Sequence, residues 1–343
     1  VCVFCEVKGS ALVAALVLLS LVPLLQFGVG EIYFFGDAFI AAAYLFAFAL
    51  MVLVGCNLYS MPQVRSTIIS FFLGGVLLAS AISCWIAMRQ WCLLSGNIWV
   101  ADSYLGARPF ANLGQPNHLA TLLSLGLVSI LYFYERQRVG RIVSSLVVLF
   151  LLFGLALTQS RTPWVGALAA LAFWAWKAPK CGVRLHWSAI VCWALICALV
   201  VVFLGKLSEW LLISGAETAL DEFALRMQSL QRLGIWSQMW QAVLTGPVLG
   251  YGWNQVNAAQ LGVALVQPVP MLVEHSHNIL LDILIWNGPI LGCVIIICVS
   301  CWLINLGLKV HTREGLFALL ASGFVLVHGM LEFPLEYAYF LLP

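Results

Sequence analysis

Apolar residues in this chain run in long unbroken stretches, neither alternating as in a half-buried strand nor forming a narrow helical stripe. Such stretches lie near 10–29, 37–55, 67–88, 117–134, 142–158, 163–176, 187–204, 278–307 and 315–331. A helix needs roughly 20 consecutive apolar residues to cross the hydrocarbon of a bilayer. The pattern therefore predicts an all-α, polytopic membrane protein with about nine transmembrane helices. The longest connection, 206–277, is too long for a plain turn and is expected to carry structure of its own. Within it, Leu220, Phe223, Met227, Leu230, Trp236, Met239, Trp240 and Val243 recur at helical spacing. That spacing predicts amphipathic helices lying in the membrane interface, with a break near Gly234. No internal repeat or separate soluble domain is visible, so residues 1–343 read as a single integral membrane domain. Because it begins at Val1 rather than Met and stops just after an aromatic run, the chain is expected to be truncated at both ends.

Composition strengthens this reading. Of the 343 residues, 63% are hydrophobic and 9% charged, whereas a soluble domain carries about 25% charged residues. The mean hydropathy is +1.02. A net charge of +2 is uninformative, and no basic patch of the kind that binds nucleic acid is present. Most of the eleven cysteines fall in or beside apolar runs, which argues against a disulfide framework. Cys2 and Cys5 form a lone CxxC, too few ligands for structural zinc, and no other set has metal-ligand spacing.

Lysine and arginine set the orientation. One face collects Lys8, Arg65, Arg136, Arg138, Arg141, Lys177, Lys180, Arg184, Lys309 and Arg313; the other holds Arg89, Arg108, Arg161, Lys206, Arg226 and Arg232. The richer face has the short loops and is expected to be cytoplasmic. Asn117, His118, Arg161, Arg232, His275, His277 and Glu332 then all reach the outer membrane face. Residues that merely solubilise loops would distribute over both faces, so convergence on one points to a single outward-facing site.

Four stretches could build it. In RPFANLGQPNHLATLL (108–123), Pro116 fits a helix start; Gln115, Asn117 and His118 either cap the helix or bind sugar hydroxyls. In LTQSRTPWVG (157–166), Arg161 lies in a very short turn, where it either snorkels to headgroups or clamps a phosphate with its planar guanidinium. Arg226 and Arg232 flank the amphipathic stripe at the level of lipid phosphates, and the following GPVLGYGWNQ lacks the spacing and strand context of a nucleotide loop. In VEHSHNILLD (273–282), His275 and His277 cannot share a helical face. Histidine can accept a proton near neutral pH, and Asn278 could cap the next helix or bind substrate. Their alternative role is an interfacial polar pair.

Together GQPNHLAT, LTQSRTPWVG, RLGIWSQMW with the downstream GYGW, and EHSHNILLDILIWNG resemble the bacterial O-antigen ligase and protein O-oligosaccharyltransferase superfamily, over about 108–343. The ending MLEFPLEYAYFLLP is most similar to the branch that glycosylates proteins such as type IV pilins. The resemblance implies a multi-pass enzyme of the bacterial inner membrane with its active site on the periplasmic side. It also implies that a glycan is taken en bloc from undecaprenyl pyrophosphate, without cofactor or catalytic metal, to a Ser/Thr hydroxyl of a periplasmic protein. By this resemblance the essential loop histidine falls on His277, with His275 the fallback. Arg161 and Arg232 match the phosphate-facing arginines, Arg226 more loosely. Gln115, Asn117, His118, Asn278 and Glu332 are candidate substrate-binding residues. An O-antigen ligase acting on a lipopolysaccharide core, or a polysaccharide polymerase, is the alternative within the class. A lipid-linked sugar flippase would be expected to show inverted repeats and a path of intramembrane charges, whereas Asp282 is the one acid well inside a span.

Overall fold

The computed structural model describes residues 11–94, 96, 101, 107–212, 232–334 and 337. Among these the regular structure is all helical: α1 (Ala11–Ser20), α2 (Val22–Gly28), α3 (Phe35–Tyr59), α4 (Pro62–Trp91), α5 (Pro116–Glu135), α6 (Arg141–Leu157), α7 (Thr162–Lys177), α8 (Trp187–Leu212), α9 (232–245), α10 (Val256–Val263), α11 (Ile279–Lys309) and α12 (Arg313–Leu331). Six helical segments among the described residues are long and apolar enough to cross a bilayer: Ala11–Gly28, Phe35–Leu58, Val64–Trp91, Pro116–Glu135, Ile279–Lys309 and Arg313–Leu331. Arg141–Leu157 and Trp187–Val200 are shorter apolar helices. Large side chains such as Phe39, Phe46, Ile142, Leu146, Leu199 and Ile290 are exposed along these helices. Water would penalise such contiguous apolar faces and lipid does not, so the chain is a multi-pass membrane protein.

Contacts fall into two compact units. Among the described residues, one comprises those up to 66 with 232–305 and 337, the other those from 67 to 212 with 306–334. In the second unit α5 is the most enclosed helix, buried along much of its length. Tyr132, Trp174 and Phe317 from α5, α7 and α12 meet edge to face and dominate a core cluster. Small residues allow close approach: a Cβ on Gly126 would strike Ser80, and one on Gly154 would strike Cys84, as membrane helix interfaces often require.

The two ends of this unit carry different polar ties. At one end, Glu135 is buried and accepts the backbone N–H groups of Arg184 (2.9 Å) and Leu185 (2.7 Å). There Arg136 pairs with Glu314 at 3.2 Å, and Thr312 caps α12 by accepting Gly315 N–H at 3.2 Å. At the other end, α5 and α7 begin and α12 finishes. Asn117, Arg161 and Glu332 lie there, while Arg136, Lys177, Arg184 and Arg313 lie at the first end. Within this unit the division agrees with the one drawn from lysine and arginine.

In the first unit Gly234 lies inside α9, and the part of the amphipathic stripe before residue 232 lies outside the described residues. One expectation is corrected. The apolar run 278–307 is not one continuous helix, because α11 is broken at Gly288 (φ 73°, ψ 170°) and followed by Pro289. Residues 289–309 alone extend about 31 Å at 1.5 Å per residue, matching the roughly 30 Å hydrocarbon thickness. The preceding half-helix, which carries Asp282, is therefore not needed to complete a span.

Candidate functional site

The break in α11 explains the glycine turn upstream of it. Pro289 has no N–H, so Ile285 loses its usual i+4 donor, and the turn at Gly288 removes the next one. The loop 250–253 replaces both: Tyr251 N–H donates to Ile285 O at 2.9 Å and Gly252 N–H to Trp286 O at 3.2 Å. Gln26 of α2, itself buried, donates to the same Trp286 carbonyl at 2.8 Å and to Leu249 O at 3.2 Å. Trp253 stacks on Trp286 with ring centroids 4.8 Å apart and donates from Nε1 to Asn287 Oδ1 at 3.0 Å. Glycine is required on both sides of this contact. Gly250 and Gly288 have positive φ, and a Cβ on either would run into the other strand of backbone.

This clamp fixes the half-helix 279–287, and the histidine turn sits at its N-terminus. Asn278 caps it, its Oδ1 accepting Leu280 N–H at 3.1 Å and Leu281 N–H at 3.4 Å. Ser276 is buried and held on three sides. Its N–H donates to Asp282 Oδ1 at 3.0 Å, its hydroxyl to Asn278 O at 3.0 Å, and its carbonyl accepts Trp236 Nε1–H at 2.8 Å. His277 adopts φ 57°, a left-handed conformation uncommon for residues other than glycine, asparagine and aspartate. The fixed neighbours on either side hold it there. His275 and His277 are both half-buried, and the Asp282 carboxyl lies within electrostatic range of both. Arg232 is half-buried in α9 of the same unit.

The second unit carries a separate polar network. Asn117, on the first turn of α5, donates from Nδ2 to Glu332 Oε1 at 3.0 Å, and its Oδ1 accepts Ser160 Oγ–H at 2.7 Å. Arg108 donates to that oxygen at 3.4 Å and, through Nε, to Thr158 O at 2.8 Å. Beside Asn117 in α5, His118 is buried against His328, with ring centroids 5.2 Å apart, and His328 Nδ1 lies 2.9 Å from Thr121 Oγ1, one turn into α5. Arg161 is exposed at the head of α7, next to Ser160. Further along α7, Pro163, Trp164, Ala167 and Trp174 line an apolar cavity of about 140 Å³.

Of the residues expected from sequence, His275, His277, Asn278 and Arg232 fall in the first unit. Asn117, His118, Arg161 and Glu332 fall in the second, where Asn117 and Glu332 bond directly. Gln115 is the exposed residue before α5 and makes no side-chain capping bond. Arg226 lies outside the described residues. Sequence reasoning missed Ser160, Arg108 and His328 as members of the second network. His328 had a signal, since it precedes Glu332 by four residues and so shares its helical face. It also gave Asp282 no role beyond an isolated intramembrane acid, although such acids are by default functional candidates.

The O-antigen ligase family matches residues 146–297, and the protein glycosylation ligase family matches 109–133. These ranges contain Arg161, Arg232 and the histidine turn, and Gln115, Asn117 and His118, respectively. Among curated proteins, the chain is 34% identical over 332 residues to the general O-oligosaccharyltransferase of Acinetobacter baylyi, covering 94% of this chain and 57% of that protein. It is 31% identical over 324 residues to the ComP-specific O-oligosaccharyltransferase of the same organism, covering 93% and 57%. The chain thus spans a little over half the length of the curated relatives it matches. No solved structure matches it.

Proposed function

From its similarity to O-antigen ligases and protein O-oligosaccharyltransferases, we propose that the chain belongs to their superfamily and transfers a preassembled glycan from undecaprenyl pyrophosphate to a serine or threonine hydroxyl of a periplasmic protein. Both curated relatives are named as O-oligosaccharyltransferases, which favours a protein acceptor, such as a pilin, over a lipopolysaccharide core. The observation that supports the reading most directly is the turn 275–278. A proton acceptor is held there in a left-handed backbone, and such strain clusters at functional sites.

In this mechanism His277 removes the acceptor hydroxyl proton as the oxygen forms a bond to the anomeric carbon. The bond from that carbon to the pyrophosphate oxygen breaks, and its electron pair leaves with the lipid pyrophosphate. Arg161 and Arg232 stabilise the added negative charge, and the apolar cavity along α7 suits part of the lipid chain. Asn117, His118, Gln115 and Glu332 contact the sugar, His275 and Asn278 shape the histidine turn, and Arg226 supports the phosphates. The site faces the periplasm, in an inner-membrane protein with about nine spans.

Reconstitution in vesicles with an undecaprenyl-pyrophosphate-linked glycan tests this reading. A pilin substrate should become glycosylated; exclusive modification of lipopolysaccharide core would instead make the protein an O-antigen ligase. For orientation, Leu265 is fully exposed, so a Leu265→Cys probe in a cysteine-free background should react with an impermeant reagent from the periplasm. A probe at Arg138 should not, and the reverse pattern would invert the topology.

Arg161→Lys and Arg232→Lys keep the charge but lose the planar fork that binds phosphate in two-pronged fashion. Each should lower turnover about tenfold or more, since an oxyanion-stabilising donor contributes about 10²–10³. Arg136 pairs with Glu314 at the opposite end of its unit, and Arg136→Lys should leave turnover within about twofold. Equal tolerance at all three positions would reduce the arginines to helix anchors.

A further inference from the structure

Asp282 has no part in the transfer chemistry described so far, yet it is completely buried beside the histidine turn. Its Oδ1 accepts Ser276 N–H at 3.0 Å, while Oδ2 is buried and takes no hydrogen bond. Helix α11 places it in the first turn, so its carboxyl points back towards the residues just ahead of the helix. One oxygen anchors the backbone immediately before His277, and the carboxyl acts electrostatically on His275 and His277. An acid in such a place is costly unless something uses its charge, and a single backbone N–H would be served equally well by an asparagine.

We propose that Asp282 is a positioning residue for the proton acceptor: it fixes the histidine turn through Ser276 and holds a negative charge opposite the imidazolium that forms at His277. This rests on the assignment of His277 as the base. When the acceptor O–H proton moves to the imidazole, the half-buried ring gains a positive charge. In its ionised form the Asp282 carboxyl stabilises that charge, as a buried carboxylate does for the histidine of a hydrolytic triad. The proton then leaves the ring to solvent or to the departing pyrophosphate, restoring the neutral imidazole. The other titratable groups at the turn are His275, half-buried, and Glu274, exposed. Asp282 is distinguished from Glu274 by its burial and by its hydrogen bond to the turn.

Asp282→Asn is the decisive variant, because the amide retains an oxygen for Ser276 N–H while losing the charge. Turnover should fall about ten- to a hundredfold, less than the roughly 10²–10⁴ attached to a general base, with KM for the lipid-linked donor unchanged. Removing a negative charge makes the imidazolium less stable, so the acid limb of the rate–pH profile should move to lower pH. Asp282→Glu restores the charge and should recover much of the lost rate. In a His277→Ala background, Asp282→Asn should cause no further loss. An Asp282→Asn enzyme with wild-type turnover and an unmoved acid limb would overturn the role of Asp282 even if His277→Ala is inactive. A fully active His277→Ala enzyme would instead remove the base itself, and the two failures are therefore distinguishable.

Discussion

Replacing His277 with alanine is expected to eliminate detectable glycan transfer while the protein still inserts and still binds its lipid-linked donor. Loss of a general base costs about 10²–10⁴ in rate, enough to leave no product in a cell-based glycosylation assay. The backbone at this position complicates a simple alanine substitution, because His277 has φ 57°. His277→Asn answers that difficulty: asparagine tolerates the left-handed region but is not a base near neutral pH. It should be as inactive as alanine while matching the wild type in thermal stability. His275→Ala should retain more activity. Asn278→Ala should lower stability by about 1 kcal/mol, the usual worth of a helix N-cap, with little change in turnover. If the turn only capped a membrane helix, this order would invert, with Asn278→Ala the most harmful change and both histidine variants mild. Transfer, donor binding and thermal midpoint measured on these variants separate the two accounts, and an active His277→Asn enzyme would falsify the mechanism.

The second large effect is expected at Gly288, some distance along the chain from any reacting group. Its φ 73° and ψ 170° belong to a region open essentially to glycine alone. A Cβ there would meet the Val248 carbonyl and the Gly250 amide, both backbone and so unable to swing aside. The conformation alone costs about 1–3 kcal/mol for a non-glycine residue, before the collision is counted. Gly288→Ala should therefore separate the 250–253 loop from α11, leaving the Ile285 and Trp286 carbonyls without their donors. Trp253 and Trp286 are stacked at this point, so tryptophan fluorescence should report the change directly. We expect a lowered thermal midpoint, an altered emission spectrum and abolished transfer. Gly323→Ala is the control: that glycine lies within α12 with nothing near its missing Cβ, and alanine there should be neutral or slightly stabilising. Equal behaviour of the two variants would mean that the clamp does not hold the half-helix in place.

Much of the fold was legible because membrane helices are encoded locally. Length, apolar continuity and proline at a helix start are properties of one segment, and Pro116 opens α5 as its position implied. The orientation rule likewise needs only the charges in each loop, and within the second unit it sorted the two polar ends as the structure does. The Ser-Arg turn and the HSHN motif could be found because each is short and contiguous. The break in α11 was missed for the complementary reason. Gly288-Pro289 lies within an apolar run, and hydropathy does not register a kink whose carbonyls are satisfied from elsewhere.

Sequence by itself determined the all-helical membrane class of the protein, most of its apolar helices and the resemblance carried by its short histidine and arginine motifs. Each of these follows from neighbouring residues, where composition and spacing act directly on the backbone. Only the tertiary structure decided that Gln26 completes a broken helix 260 positions away, that Thr121 meets His328 and Asn117 meets Glu332, and that Asp282 reaches back to the histidine turn. Those pairings depend on which faces of separate helices are brought together by packing. Hydrogen bonds inside an apolar medium must then be closed by whichever polar group arrives, and no local pattern states which one that will be.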